Sequence, residues 1–441
     1  MAAPVPAAPR SLGLIARLAA LTPSGRAGVP VAWALYDFAN TVYSYAVVSY
    51  AMGLWAIDRL GPADGQYWAN MANALSVGLN AAVSPVLGAI SDRGGRRLPY
   101  LLFFTAVCIA ATAAIALVGG GNAMTFVGLG LFTIANFAYQ AALIYYDSTL
   151  PVVSLPGSRG RISGIGVAVG YLGTIVVGLL ILVLDTGSGA ITFLLAAGLF
   201  AVFAVPIFLV VKEPPGTSYR FRMGDAVASW SQLATTVRHA REVPGLLRFL
   251  VARFFYTDPV NTVIVIMSAF ATQAIGLTKG QANMVLLLLT VVAVLASFGW
   301  GFLVERIGPK RTLMIVLGSW CVGLLIAGVL LGSGLGGVWT SDRVYMLRLS
   351  PPDRIGEFFG LYGLAGKFSA VTGPVLYGVI VSNLLNAGWG TGAYQVGILS
   401  FLVLMLIGVW LLRGVPDRPT ETGVAPAEFP AVDETPGVGR F

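Results

Sequence analysis

Gly88-Ala89-Ile90-Ser91-Asp92-Arg93-Gly94-Gly95-Arg96-Arg97 closes one long apolar run of this 441-residue chain. Gly301-Phe302-Leu303-Val304-Glu305-Arg306-Ile307-Gly308-Pro309-Lys310-Arg311 closes another. Both read G-x-x-x-[DE]-R-x-G followed by a basic pair. The glycines let two helix ends approach closely and turn sharply. The acid and the arginines are able to pair across one face of the molecule, forming a latch in one conformation and breaking it in another. The plainer reading is a basic loop that only sets orientation, but two copies at equivalent places favour the latch. They also mark the chain as an internal repeat.

Two further pairs of motifs support the repeat. Asp37-Phe38-Ala39-Asn40 and Asp258-Pro259-Val260-Asn261 both read D-x-x-N, with Tyr36 and Tyr256 just upstream. Asp147 precedes Gly160-Arg161-Ile162-Ser163-Gly164 by 13 residues, and Asp342 precedes Gly356-Glu357-Phe358-Phe359-Gly360 by 14.

Composition says what solvent surrounds these motifs. Only 10% of residues are charged and 57% are hydrophobic, with a mean hydropathy of +0.82. A soluble chain carries roughly 25% charged residues, so this one cannot coat itself against water. That sets aside a soluble enzyme and a secreted disulfide scaffold. The net charge of +8 does not indicate nucleic acid, because the arginines are dispersed over short loops rather than clustered on one face. Cys108 and Cys321 sit in apolar runs and read as small core residues. The lone histidine, His239, leaves a zinc or His-based site almost nothing to build on. No cleavable leader is expected, since Arg10, Arg17 and Arg26 interrupt the first 30 residues.

About 20 apolar helical residues cross a bilayer. Such runs fall at 31–57, 67–90, 98–118, 122–149, 162–184 and 189–211, then at 246–275, 281–304, 312–331, 336–349, 358–383 and 391–412. The expected fold is therefore an all-α polytopic membrane protein of two pseudo-symmetric six-helix bundles. Its parts are a cytoplasmic tail 1–30, a first bundle 31–211, a cytoplasmic linker 212–245, a second bundle 246–412 and a cytoplasmic tail 413–441. Both tails, rich in Pro, Ala and Gly, are expected to be mobile. Alternate loops carry the basic residues (Arg93, Arg96 and Arg97; Arg159 and Arg161; Lys212 through Arg241; Arg306, Lys310 and Arg311; Arg354; Arg413 and Arg418), whereas the opposite loops hold only Arg59 and Lys279. The positive-inside rule then puts both termini in the cytoplasm. In the linker, Val227, Trp230, Leu233 and Val237 recur at helical spacing and predict an interfacial helix, most simply a passive tether.

The loop motif after span two resembles the signature of the major facilitator superfamily. More narrowly, Trp33-Ala34-Leu35-Tyr36-Asp37-Phe38-Ala39-Asn40, the run from Gly160 to Gly166 with Gly170-Tyr171-Leu172-Gly173, and Glu357-Phe358-Phe359-Gly360-Leu361-Tyr362 with Gly366-Lys367 resemble its vacuolar, autophagy-related effluxer-like branch. The resemblance covers about residues 31–412. It implies a secondary transporter working by alternating access, with spans one, four, seven and ten around a central cavity, and amino-acid export as its activity. One departure stands out. Arg97 and Gly160 are 63 residues apart, whereas Arg311 and Gly356 are 45 apart. Span ten is expected to be short or distorted, re-entrant around Gly332-Ser333-Gly334.

Carboxylates in a membrane are costly and should face a cavity or a partner. Asp37, Asp147, Asp258 and Asp342 fall in spans one, four, seven and ten. Either an acid such as Asp37 or Asp258 binds a substrate ammonium or a proton, or each is paired with an arginine and holds helices together. The functional reading is favoured for Asp37 and Asp258, where D-x-x-N puts acid and amide on neighbouring turns of one face. The candidate binding set is Asp37, Asn40, Tyr36, Tyr139, Gln140, Asp258, Asn261, Tyr256 and Arg253. The candidate cytoplasmic latch is Asp92, Arg93, Arg96, Arg97, Asp147, Arg161, Glu305, Arg306, Arg311 and Asp342. Gly363-Leu364-Ala365-Gly366-Lys367-Phe368 is no phosphate loop, lacking the upstream glycine and the following Ser or Thr. No cofactor is expected, and no convergent nucleophile, base or metal set suggests an enzyme. The expected partners are a small polar solute, membrane lipids and a coupling proton, for a chain acting as a monomer, with no nucleic acid. The rival expectation is a degenerate carrier that contacts lipid or binds a partner without transporting.

Overall fold

The computed structural model describes residues 14–94, 96–155, 159–213, 223–326, 337–338, 341–342, 344–346, 348–351 and 355–417. Among them there is no strand. Helix α1, Leu14–Ala19, lies in the segment expected to be a mobile tail. The chain there is tied down, since the Leu155 amide donates to the Leu21 carbonyl (3.1 Å).

Span one starts as α2, Gly28–Tyr43. It continues through a π-helical stretch, Ser44–Ala51, into α3, Met52–Gly94, which breaks at Gly61 (φ 83°) before Pro62 and so also forms span two. Helices α4 Leu98–Ile115, α5 Asn122–Ser148, the short α6 Leu150–Val153, α7 Arg159–Val183 and α8 Ala190–Val210 follow. The linker holds α9, Met223–Glu242. The second half runs α10 Leu246–Gln273, α11 Lys279–Ile307, α12 Pro309–Ile326, α13 Ile355–Asn386 and α14 Gly392–Arg413. Of the expected tenth span, residues 337–338, 341–342, 344–346 and 348–349 are helical, while Gly332-Ser333-Gly334 lies outside the described residues.

Eight helices among the described residues are long and apolar enough to cross a membrane: α4, α5, α7, α8, α10, α11, α13 and α14. Their outward faces are apolar too, with Phe103, Val202, Leu209, Val403 and Trp410 all exposed. An exposed apolar surface of that extent is stable only against lipid. Two separate cores lie inside. One collects buried residues from Val29 to Val211 together with Leu286 and Leu287, and the other runs from Ala240 to Val415. Helix α9 packs on α3, α10 and α13, so it seats on protein from both halves, with Thr236 and Ala240 buried. Cys108 and Cys321 are free thiols, the first buried.

The basic loops meet one another within each half, Arg97 on Glu213 in the first and Lys310 on the Arg413 and Val415 carbonyls in the second, and the end of the helices that carries them is the basic end. There Gly308 takes φ 89°, a conformation open to glycine, and Pro309 starts α12 with its φ already helical. Glu213, just past α8, accepts the amide hydrogens of Arg97 (2.8 and 3.0 Å) and Leu98 (3.0 Å). These are orphan donors of the first turn of α4, where a negative charge also suits the helix dipole. Glu213→Ala should therefore cost about 1 kcal/mol, read as a lower melting temperature of the purified protein, with Glu213→Gln recovering part of it. Equal loss in both variants would show that charge alone matters.

Candidate functional site

The two D-x-x-N motifs share one further residue. Thr41 follows Asn40 and Thr262 follows Asn261, so both read D-x-x-N-T. In a helix, residues four apart share a face, and here that face meets a glycine row. The Thr41 hydroxyl donates to the Gly170 carbonyl of α7. A Cβ at Gly173 would stand 2.5 Å from the Phe38 carbonyl and 2.6 Å from Thr41 Oγ1. In the second half, Asp258 Oδ1 accepts the Gly373 amide of α13 (2.7 Å), and Asn261 reaches the Gly366 carbonyl at 3.5 Å. A Cβ at Gly373 would collide with Thr262 Oγ1. Each acid motif thus docks on the glycine-rich helix of its own bundle, and only glycine admits so close an approach.

The two acids are not in equal settings. Asp37 is half-buried, beside Gly166, and Asn40 is buried with neither amide atom bonded among the described residues. Asp258 is 1% exposed and its Oδ2 has no hydrogen-bond partner among the described residues. Tyr36 and Tyr256 of the expected set are buried in the two cores. Tyr36 is buried in the first core, its hydroxyl 2.5 Å from Thr105 Oγ1 and its ring stacked on Tyr146. Tyr256 packs on Gly408 of α14. Tyr139 packs against Tyr43 at 4.7 Å between ring centroids, and Gln140 is half-buried.

Arg253 meets Asp342 rather than Asp258. Its Nη1 lies 3.1 Å from Asp342 Oδ2, with both side chains buried, and donates to Thr257 Oγ1 (2.8 Å). Its guanidinium lies 3.6 Å over the Tyr362 ring, and the Tyr362 hydroxyl donates to Asp342 Oδ1 (2.8 Å). Residues that the sequence reading divided between a binding site and a latch form one cluster joining α10, span ten and α13. Of the other latch residues, Asp147, Arg96 and Arg306 are exposed, Arg97 lends its backbone amide to Glu213, and Arg311 lies 3.8 Å from Asp417. The side chains of Asp92, Arg93, Arg161 and Glu305 lie outside the described residues.

Between the halves lies a cavity of about 230 Å³, walled by Thr41, Ser44, Tyr45 and Ser49 of span one, Tyr171 and Thr174 of α7, Val263, Ile264 and Met267 of α10, and Leu286, Leu289, Thr290 and Ala293 of α11. The π-helical turn matters here. Ser49 donates to the Ser44 carbonyl five residues back (3.1 Å), and that wider register brings Ser44, Tyr45 and Ser49 to the same wall. Hydropathy alone shows span one as an even apolar run, so this was not visible in sequence.

Beyond the cavity, away from the basic end, the halves are clasped. Lys279 pairs with Asp58, and Ser188 bonds both, to Asp58 at 2.9 Å and from Lys279 at 3.0 Å. Tyr45 donates to Asn283 Oδ1 (2.6 Å) and Asn283 donates to the Gly178 carbonyl (2.7 Å).

The described residues form a helical membrane fold of two cores with a cavity between them, and the matches that follow make it a transporter of the major facilitator class rather than an enzyme. Residues 249–437 match the Major Facilitator Superfamily. A point mutant of the nucleoside transporter NupG superposes with a TM-score of 0.68 at 12% identity, over 88% of this chain and 99% of that one. A bacterial homologue of the human lysosomal transporter Spinster, inward-facing and unoccupied, gives 0.66 at 14% identity, over 88% and 98%. Residues 68–157 and 154–330 match the family described as vacuole effluxer Atg22 like, and the chain belongs to that family. The uncharacterized MFS-type transporter YxiO of Bacillus subtilis is 26% identical over 434 residues, 89% of this chain and 96% of its own length. Autophagy-related protein 22-2 of Aspergillus clavatus is 24% identical over 283 residues, 54% of this chain but only 46% of the fungal protein.

Proposed function

We propose that this chain exports a small polar solute, an amino acid best fitting the family, by alternating access between the bundles 31–211 and 246–412, driven by a proton gradient. The observation that carries the reading is the cavity walled by both halves beside two matching acid motifs. At about 230 Å³ it is below the ~300–1,000 Å³ of pockets for drug-sized ligands, and its hydroxyls suit a polar guest. The basic end is cytoplasmic by the positive-inside rule, in a bacterial inner membrane. The clasp on the opposite side then makes the present conformation inward-facing.

Asp258, with one carboxyl oxygen bonded and the other without a donor among the described residues, is the place to carry the coupling proton. Asp37, half-buried one turn from Thr41, is the place to meet a solute ammonium. Proteoliposomes loaded with labelled amino acids test this. Wild-type protein should release a subset faster when a proton gradient is imposed. Asp258→Asn should lose at least about tenfold of the gradient-driven flux, about 1.4 kcal/mol, while retaining solute exchange. Asp37→Asn should lose both. If both variants keep gradient-driven transport, these acids do not couple it.

A further inference from the structure

The first binding set left out Lys367, whose surroundings point to a ligand. It lies in α13, twelve residues beyond Ile355, about 18 Å up the helix from the basic end. Its ammonium crosses to the other bundle and donates to Asn80 Oδ1 (3.0 Å) and Ser84 Oγ (2.7 Å) of α3. Both partners are neutral. The carboxylate whose charge reaches Lys367 is that of Asp147, whereas Arg253 and Lys279 are in direct ion pairs with Asp342 and Asp58. An ammonium has three hydrogens to donate, and the neutral acceptors leave one.

Asn80 is the second observation. It is 0% exposed, and its Nδ2 has no partner among the described residues. Its orientation follows from its neighbours, because Oδ1 must face the lysine and takes a further contact from Ser84 Oγ (3.2 Å). Asn80 Nδ2, without a partner among the described residues, and the half-buried Lys367 ammonium therefore lie on one amide contact at the bundle interface. Two donors match the two oxygens of a carboxylate. The repeat gives the position as well. Gly366-Lys367 is the counterpart of Gly170-Tyr171, and Tyr171 lines the inter-bundle cavity.

We infer that Lys367 with Asn80 forms the anion subsite of the transport path, binding the carboxylate of the solute. The inference rests on the carrier reading and narrows it. The solute must carry an anionic group, and Lys367 and the acid motifs together would select a zwitterion over an amine or a sugar.

One test reads the subsite without knowing the solute. In full-length protein with Cys108 and Cys321 replaced, Ser84→Cys is reacted with an anionic and a cationic methanethiosulfonate of similar size. With Lys367 present the anionic reagent should react about tenfold faster relative to the cationic one than with Lys367→Gln, as expected of a focused positive field. No reaction with either reagent, or a preference unchanged by Lys367→Gln, would overturn the subsite and leave Lys367 as a closed interhelical contact. A second measurement separates this from the carrier reading. Lys367→Gln should cut amino-acid efflux at least about tenfold with Lys367→Arg retaining part, and amino-acid amides should be poor solutes for the wild type. Amides carried as well as acids would overturn the carboxylate assignment while leaving the carrier intact. If the wild type moves no amino acid but the thiol preference holds, the amino-acid reading falls and the anion subsite stands.

Discussion

Arg253→Ala should destabilise the protein by about 3–5 kcal/mol, the cost of stripping one partner from a buried ion pair. Arg253 is 4% exposed and Asp342 0%, so neither charge has water to fall back on. The guanidinium supplies the 3.1 Å pair, the bond to Thr257 and the contact over Tyr362. Without it, the Asp342 carboxylate loses its counter-charge in low dielectric. Asp342→Leu should cost a similar amount for the converse reason. The pair Arg253→Met with Asp342→Leu should recover most of the loss, because no buried charge remains. Thermal melts in detergent provide the readout. If the double variant is as unstable as either single one, packing rather than charge holds the cluster. Asp342 ties the helical residues around it to α10 and α13. Loss of this cluster should therefore also reduce transport, even at temperatures where the protein stays folded.

The second large effect concerns the clasp. With Cys108 and Cys321 replaced, cysteines at Asp58 and Lys279 joined by a reducible bifunctional thiol reagent should stop transport, and reduction should restore it. These residues come from opposite halves, so an alternating-access cycle must separate them. The native pair is weaker than a covalent tie. Its side chains are 39% and 46% exposed, and such pairs contribute about 0–1 kcal/mol. Asp58→Asn should accordingly shift the balance toward the outward-open form by no more than about fivefold, read as faster labelling of a cysteine at Ser44 by an impermeant reagent added outside. Full transport through the cross-linked protein would sink the alternating-access reading.

Local information is legible in this sequence, and relational information is not. The loop motifs, the D-x-x-N pair and the basic loops announced a repeated transporter, because hydropathy and charge bias are properties of single segments. The threonines at 41 and 262 were equally visible and would have extended the repeat. Nothing in the sequence showed that Tyr36 and Tyr256 turn into the cores, since each stands beside the polar D-x-x-N-T stretch and a hydroxyl-bearing ring suits a cavity wall as well as a core. Glu213 as a helix cap, and Asn80 with Ser84 as partners of Lys367, join segments far apart in the chain.

By itself the sequence determined that lipid is the solvent, that the chain is duplicated, which end is basic, and where acids enter the membrane. Each follows from composition or from spacing within one helix. Only the tertiary structure decided which charges meet. Arg253 could have served Asp258 five residues on, yet i,i+5 places the two on different faces of the helix, and packing delivered Asp342 instead. The same rotation left Asp258 on the Gly373 amide and brought Lys367 to neutral partners across the bundle interface. Helix rotation and the close approach that glycines permit are set by all neighbours at once, so a single segment does not encode them.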